Sequence, residues 1–167
     1  MNNYNYIPDL VIENGRMINK NFSGAQTKYT REGERWFNAV IQPEFVDQLK
    51  EQGWNIKMLP PKEGVEGSQP LFFMKVRVTM DGPRPPKVYL VTSKKKTQLD
   101  KESVGTIDHA DIKNVDMVIH PYKYDDGTKT YVSAYLKELY VTIEEDSFAA
   151  KYENLETEDL DEAISVF

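Results

Sequence analysis

The sequence predicts a mainly β fold: a small, partly closed antiparallel barrel with one or two short helices, followed by a disordered acidic tail. Three observations carry this. Several segments alternate apolar and polar residues with a period of two. Proline and glycine clusters punctuate them at short intervals. From Glu144 to Phe167 there are nine acidic residues and one basic residue, Lys151, and the alternation has ended. A length of 167 residues suits one packed domain and is short for two.

In chain order, LVIENGRMI and RWFNAVI favour strand. The stretch Pro43–Gly53 has proline near its start, Phe45, Val46 and Leu49 on one side and a closing glycine, which predicts a helix of about two to three turns. LPPKEGVEGSQP and DGPRPP are loops. Between them, LFFMKVRVTM places Phe72, Met74, Val76 and Val78 on one face and Phe73, Lys75, Arg77 and Thr79 on the other. KVYLVTS and VDMVIHPYKY read as further strands, with VGTIDHADIKN (Val104–Asn114) as a second short helix. Asp125-Asp126-Gly127 supplies the turn of a β-hairpin, because glycine tolerates the positive φ that tight connections need. The returning strand, TYVSAYLKELYVTI, is long enough to expect a bulge. Five or more short strands with small helices fit an OB-like barrel, and a sandwich is the alternative. The domain boundary falls near Tyr152: residues 1–152 form the barrel and 153–167 the tail, which has few groups to bury and so no packing to offset its ordering entropy.

Composition bounds the function. There are no cysteines, which excludes disulfides and thiolate metal sites and is compatible with a reducing cytoplasm. MNNYNYIPDL lacks the basic and apolar regions of a secretory signal, and no apolar run spans a bilayer, so neither export nor a membrane is expected. The net charge of −6 hides a division: the tail carries −8, and residues 1–143 hold 20 basic against 18 acidic residues.

That mildly basic body carries the candidate binding residues. Phe73, Lys75 and Arg77 share one strand face; Tyr131, Ser133, Tyr135 and Lys137 share another. Rings stack on unpaired bases and cations follow phosphates, so such faces suit a single-stranded nucleic acid with little regard for sequence. The plainer reading has the rings capping barrel ends and the lysines keeping edges soluble. Recurrence on two strands favours binding. Lys94, Lys95 and Lys96 after KVYLVTS, Arg84 and Lys87 around DGPRPP, and Tyr29, Arg31 and Arg35 around Gly33 add positive charge. Binding through them should weaken with salt as condensed counterions are released.

The end of the chain is sharper. Asp159, Asp161 and Glu162 precede Ile164, Val166 and Phe167. Acid draws the segment to a basic pocket that the final ring and carboxylate enter together, a mode of C-terminal capture. A merely solubilising tail would not need three apolar residues at its tip.

Catalysis is not expected. The only histidines, His109 and His120, form no HExxH, and there is no GxxxxGK, GxSxG or GxGxxG. Asp108, His109 and Asp111 read as a surface turn rather than a metal site, and no cofactor is called for.

The stretches GERWFNAVI, EQGWNIKML, RPPKVYLVTS, DHADIKNVDMVIHPY and AYLKELYVTIEED resemble, in order and spacing, bacteriophage single-stranded DNA-binding proteins of the OB-fold type. The resemblance covers about Phe22 to Tyr152. DLDEAISVF resembles more loosely the acidic tail of bacterial and phage single-strand binders, which docks replication and repair enzymes, but lacks a proline before Phe167. The resemblance implies coating and protection of single-stranded DNA in phage replication or recombination, in the host cytoplasm, with replication proteins recruited by the tail. Oligomeric state stays open, a homodimer included. The rival reading is a non-catalytic interaction module or acidic DNA mimic, which the basic faces do not favour.

Overall fold

The computed structural model describes residues 6–144. β1 (Leu10–Gly15) and β2 (Met17–Asn21) are halves of one bent strand meeting at Arg16, whose carbonyl accepts a 3.0 Å hydrogen bond from the Val40 amide. β2 pairs with β3 (Trp36–Ile41), β3 with β5 (Leu71–Arg77), β5 with β9 (Thr130–Ile143), β9 with β8 (Ile112–Asp125), and β8 with β1. The order thus begins and ends on the same bent strand, which curls the sheet into a partly closed barrel. α1 (Pro43–Gln52) follows β3; β4 (Lys57–Leu59) adds to β5; β6 (Lys87–Val91) joins the far half of β9 and carries β7 (Lys96–Leu99).

Period-two alternation fills the interior. Phe37 and Ala39, Met74 and Val76, Val115, Met117 and Ile119, and Val132, Ala134, Leu136, Leu139 and Val141 are buried. Each large side chain removed from water contributes roughly 1.5–3 kcal/mol before entropy is counted. The bulge expected in the long strand lies at Lys137: Val118 faces Glu138 while Ile119 faces Leu136, leaving Lys137 over. Leu136 and Leu139, three residues apart, can therefore both point inward.

α1 ends as its glycine predicts. Gly53 adopts φ 102°, its amide bonds the Lys50 carbonyl at 3.0 Å, and the Trp54 amide reaches back to Leu49 at 3.1 Å. This folds Trp54 under the helix, where it is buried.

Four details differ from the sequence expectation. Val46 and Leu49 of α1 are buried, but Phe45 is 52% exposed, turned toward a groove beside β1 rather than into the core. The second helix is only a 3-10 turn, Val104–His109, because Val104 and Ile107 bury one three-residue face and Ile112 already begins β8. β4 and β7 are additional strands. The barrel is antiparallel except where β5 and β6 run parallel to β9. The acidic segment and the boundary near Tyr152 lie outside the described residues.

Candidate nucleic-acid interface

The outward rows of β3, β5, β9 and β8 lie side by side. Trp36 pairs with Arg77, Asn38 with Lys75 and Val40 with Phe73; across the parallel seam Arg77 pairs with Tyr135. On β8, Tyr122 and Tyr124 face Ser133 and Tyr131. Two grooves cross this surface. One, of about 220 Å³, is walled by Arg35, Trp36, Lys75, Arg77 and Tyr135. The other, of about 490 Å³, is walled by Asn55, Arg77, Tyr122, Tyr124, Tyr131 and Tyr135. Arg77 and Tyr135 border both, so the grooves adjoin at these two residues.

The rings are outside the core. Tyr122, Tyr124 and Tyr131 are 60%, 50% and 43% exposed, more than a ring capping the barrel would be. Tyr122 meets Tyr135 edge-on at 6.1 Å, and Tyr124 stacks with Tyr131 at 6.3 Å. The Lys75 ammonium lies 5.2 Å from the Trp36 ring centre, and Lys129 lies 5.2 Å from that of Tyr131. Aromatic faces with cations beside them can stack bases and meet phosphates.

Local chemistry holds both ends of this surface. The segment 22–35 is pinched where the Gly33 amide bonds the Gly24 carbonyl at 2.8 Å, with Gly24 at φ 75°. Both Asp108 oxygens accept backbone amides there, from Phe22 at 2.8 Å and Ser23 at 2.9 Å. The Trp36 indole donates to Thr30 Oγ1 at 3.0 Å, fixing its ring. At the other end, the Thr128 and Lys129 amides donate to Asp126, holding its carboxyl down at about 2 and ordering the hairpin beneath Tyr124 and Tyr131. Gly127, at φ 94°, completes that turn.

The predicted residues divide into groups. Phe73, Lys75, Arg77, Tyr131 and Tyr135 come together on the outer face. Arg31 is exposed on the adjoining loop. Arg35 lines the first groove, with its guanidinium donating to the Phe22 carbonyl at 2.8 Å and the Lys101 carbonyl at 3.4 Å. Lys137 donates to Asp9 Oδ2 at 2.8 Å, and the His120 ring lies 2.7 Å from Asp9 Oδ1. Lys137 chiefly, through that hydrogen bond, keeps the Asp9 carboxyl below its usual range, and the pair ties the start of β1 to β9. Arg84 is exposed in the loop before β6, and Lys87, Lys94, Lys95 and Lys96 gather near β6 and β7, along the far half of β9. Asp159, Asp161, Glu162, Ile164, Val166 and Phe167 lie outside the described residues.

Trp36, Tyr122, Tyr124 and Lys129 lie on the same surface and were not among the sequence candidates. For the two tyrosines a signal existed: extending the hairpin from Asp125-Asp126-Gly127 pairs Tyr124 with Tyr131. In the turn of Asp108, His109 and Asp111, the Asp108 carboxylate accepts backbone amides, and no group of metal-holding side chains occurs among the described residues. A further groove, about 760 Å³, is framed by β1, α1 and the ends of β3 and β5. Among the described residues Arg16 is its only basic lining residue, against Asp9 and Glu13, which does not suit a polyanion.

Residues 1–166 match the family of phage ssDNA-binding domains. The chain belongs to this family. Its members are binding domains rather than enzymes. No curated protein matches the sequence. Among solved structures, the chain is similar to the single-stranded DNA-binding protein from bacteriophage Enc34 in complex with ssDNA, with a TM-score of 0.53 and 14% identity, covering 84% of this chain and 89% of that one. A C-terminal truncation of the Enc34 protein is also similar, with a TM-score of 0.51 and 13% identity over 83% and 87% of the two chains. At these identities the likeness is one of fold, and it supports the OB-like barrel of this phage ssDNA-binding domain. No helix among the described residues is long and apolar enough to cross a membrane.

Proposed function

We propose that this phage ssDNA-binding domain holds single-stranded DNA on the outer face of β3, β5, β9 and β8, with little preference for sequence. One observation carries the reading: Arg77 and Tyr135 border both grooves, which lie side by side on one aromatic and cationic face. Stacking needs only the π-face of a base, and phosphate contacts are the same at every nucleotide. The similar Enc34 structure in complex with ssDNA lends support from the fold. Coating of this kind would protect exposed strands during phage replication or recombination. The acidic segment with Ile164, Val166 and Phe167 would recruit replication proteins by offering charge and apolar groups to a basic pocket.

Titration of labelled single-stranded and duplex oligonucleotides at low and moderate salt tests the reading. The expected result is preferential binding of single strands that weakens with salt and varies little among sequences. Absence of single-strand binding even at low salt would make the outer face structural and leave a protein-interaction module as the better account.

A further inference from the structure

The cationic groups that lie away from the grooves have an aromatic surface of their own. Tyr89 of β6 and Tyr140 of β9 are register partners, both half-buried, and their rings stack with centres 4.9 Å apart and planes 14° from parallel. The Lys96 ammonium, from β7, lies 4.7 Å from the Tyr89 ring centre and 5.7 Å from that of Tyr140. Lys94 and Lys95 belong to the turn that leads into β7, where Thr92 Oγ1 accepts both their amides.

The register shows how this platform relates to the grooves. β5 and β6 flank the same side of β9, one after the other: Arg77 is beside Tyr135, Lys87 beside Glu138, and Tyr89 beside Tyr140. The bulge at Lys137 makes the row continuous, because it shifts the parity so that Tyr135 and Tyr140 both face outward while Leu136 and Leu139 face in. Without that extra residue, positions five apart would point to opposite faces.

We propose that the Tyr89/Tyr140 pair with Lys96 is a second stacking subsite for single-stranded nucleic acid, continuing the path beyond Arg77 and Tyr135. The inference rests on the single-strand reading above and extends it to the opposite half of β9. A base laid against the tyrosine pair brings its phosphates toward the lysines on the β6–β7 side. The other side is acidic: Asp116 is the register neighbour of Tyr140 on β8, and Glu13 lies in the hollow beyond. Charge therefore sets the direction in which the backbone leaves the platform. Glu138 is engaged by the Tyr140 hydroxyl at 2.5 Å and has Lys87 alongside. Tyr135 and Tyr140 are separated by about 16 Å of strand, so a very short oligonucleotide fills one subsite and a longer one reaches both.

The test compares Tyr89→Leu/Tyr140→Leu with Tyr89→Phe/Tyr140→Phe, using oligothymidylates of about four and about sixteen nucleotides, the span of known OB-fold site sizes. Leucine keeps apolar cover over the sheet and removes the π-face; phenylalanine keeps both. The leucine variant should bind the long oligomer about tenfold more weakly and the short one as the unmodified protein does, with the phenylalanine variant unchanged on both. Lys96→Gln, at an exposed site, should lower the salt dependence for the long oligomer alone. Unmodified affinity for the long oligomer in the leucine variant, or an equal salt dependence in Lys96→Gln, would overturn the subsite while leaving the grooves in place. Failure of the unmodified protein to bind either oligomer would instead remove the single-strand reading and this subsite with it.

Discussion

Arg77 and Tyr135 are neighbours across the parallel seam between β5 and β9, and each forms a wall of both outer grooves. A guanidinium beside a ring unites, at one point, the two chemistries a single strand presents. Arg77→Ala should weaken single-strand binding roughly tenfold at low salt and lower the slope of log affinity against log salt by about 0.7, the value of one lost phosphate contact. Tyr135→Ala should weaken binding by about 1–3 kcal/mol and leave the slope alone. Titrations at several salt concentrations separate the two; the same slope change in both variants would contradict this division of labour.

Trp36 should report occupancy of the first groove. Its indole is half-buried in the groove wall beside Lys75, whereas Trp54 is buried beneath α1. Single-stranded DNA should quench the fluorescence of the unmodified protein, and Trp36→Phe should abolish most of the quench while retaining much of the binding. Equal quenching in that variant would place the strand elsewhere.

How far these residues were legible follows from where the sheet is buried. β5, β8 and β9 could be read because each alternates against a core, as Met74 and Val76 do against Lys75 and Arg77. Lys57, Met58 and Leu59 of β4 are all exposed, as are Lys96, Thr97 and Gln98 of β7, so neither strand leaves an alternating trace. Trp36 was hidden for a related reason. It shares its outward row with Val40, so that face of β3 does not read as polar. The seam between Arg77 and Tyr135 joins residues 58 positions apart through a parallel pairing that no local pattern encodes.

Asp9 fastens the start of β1 to β9. Its carboxyl is held below the ordinary value of 3.8, mainly by the hydrogen bond from Lys137, and Lys137 is raised above its ordinary 10.5 in return. A depressed carboxylate stabilises the fold above its unfolded value and loses that contribution as pH falls through the folded one. A raised lysine stabilises below its unfolded value and loses the contribution as pH rises through the folded one. The tie should therefore be fully present between about pH 4 and 10. Asp9→Asn should cost less than about 1 kcal/mol in urea unfolding at neutral pH, since solvent screens the pair. The deficit should vanish as pH falls below 3.8. A deficit that persists in acid would mean that the carboxylate charge is not what matters.

Gly53 is where the backbone leaves little choice. It closes α1 at φ 102°, and an added Cβ would lie 3.0 Å from Val132 Cγ2. Val132 is buried in the barrel wall and bridges to Trp54, so it has little room to yield. Gly53→Ala should cost about 1–2 kcal/mol from the left-handed conformation alone, with the Val132 contact adding to it. Gly127 has a similar φ of 94° but nothing within 4 Å, so Gly127→Ala should lose only the conformational part. Urea unfolding of the two variants, side by side, isolates the packing contribution. If Gly53→Ala proves no worse than Gly127→Ala, Val132 moves aside, and the junction of α1 with the barrel is looser than the 3.0 Å approach implies.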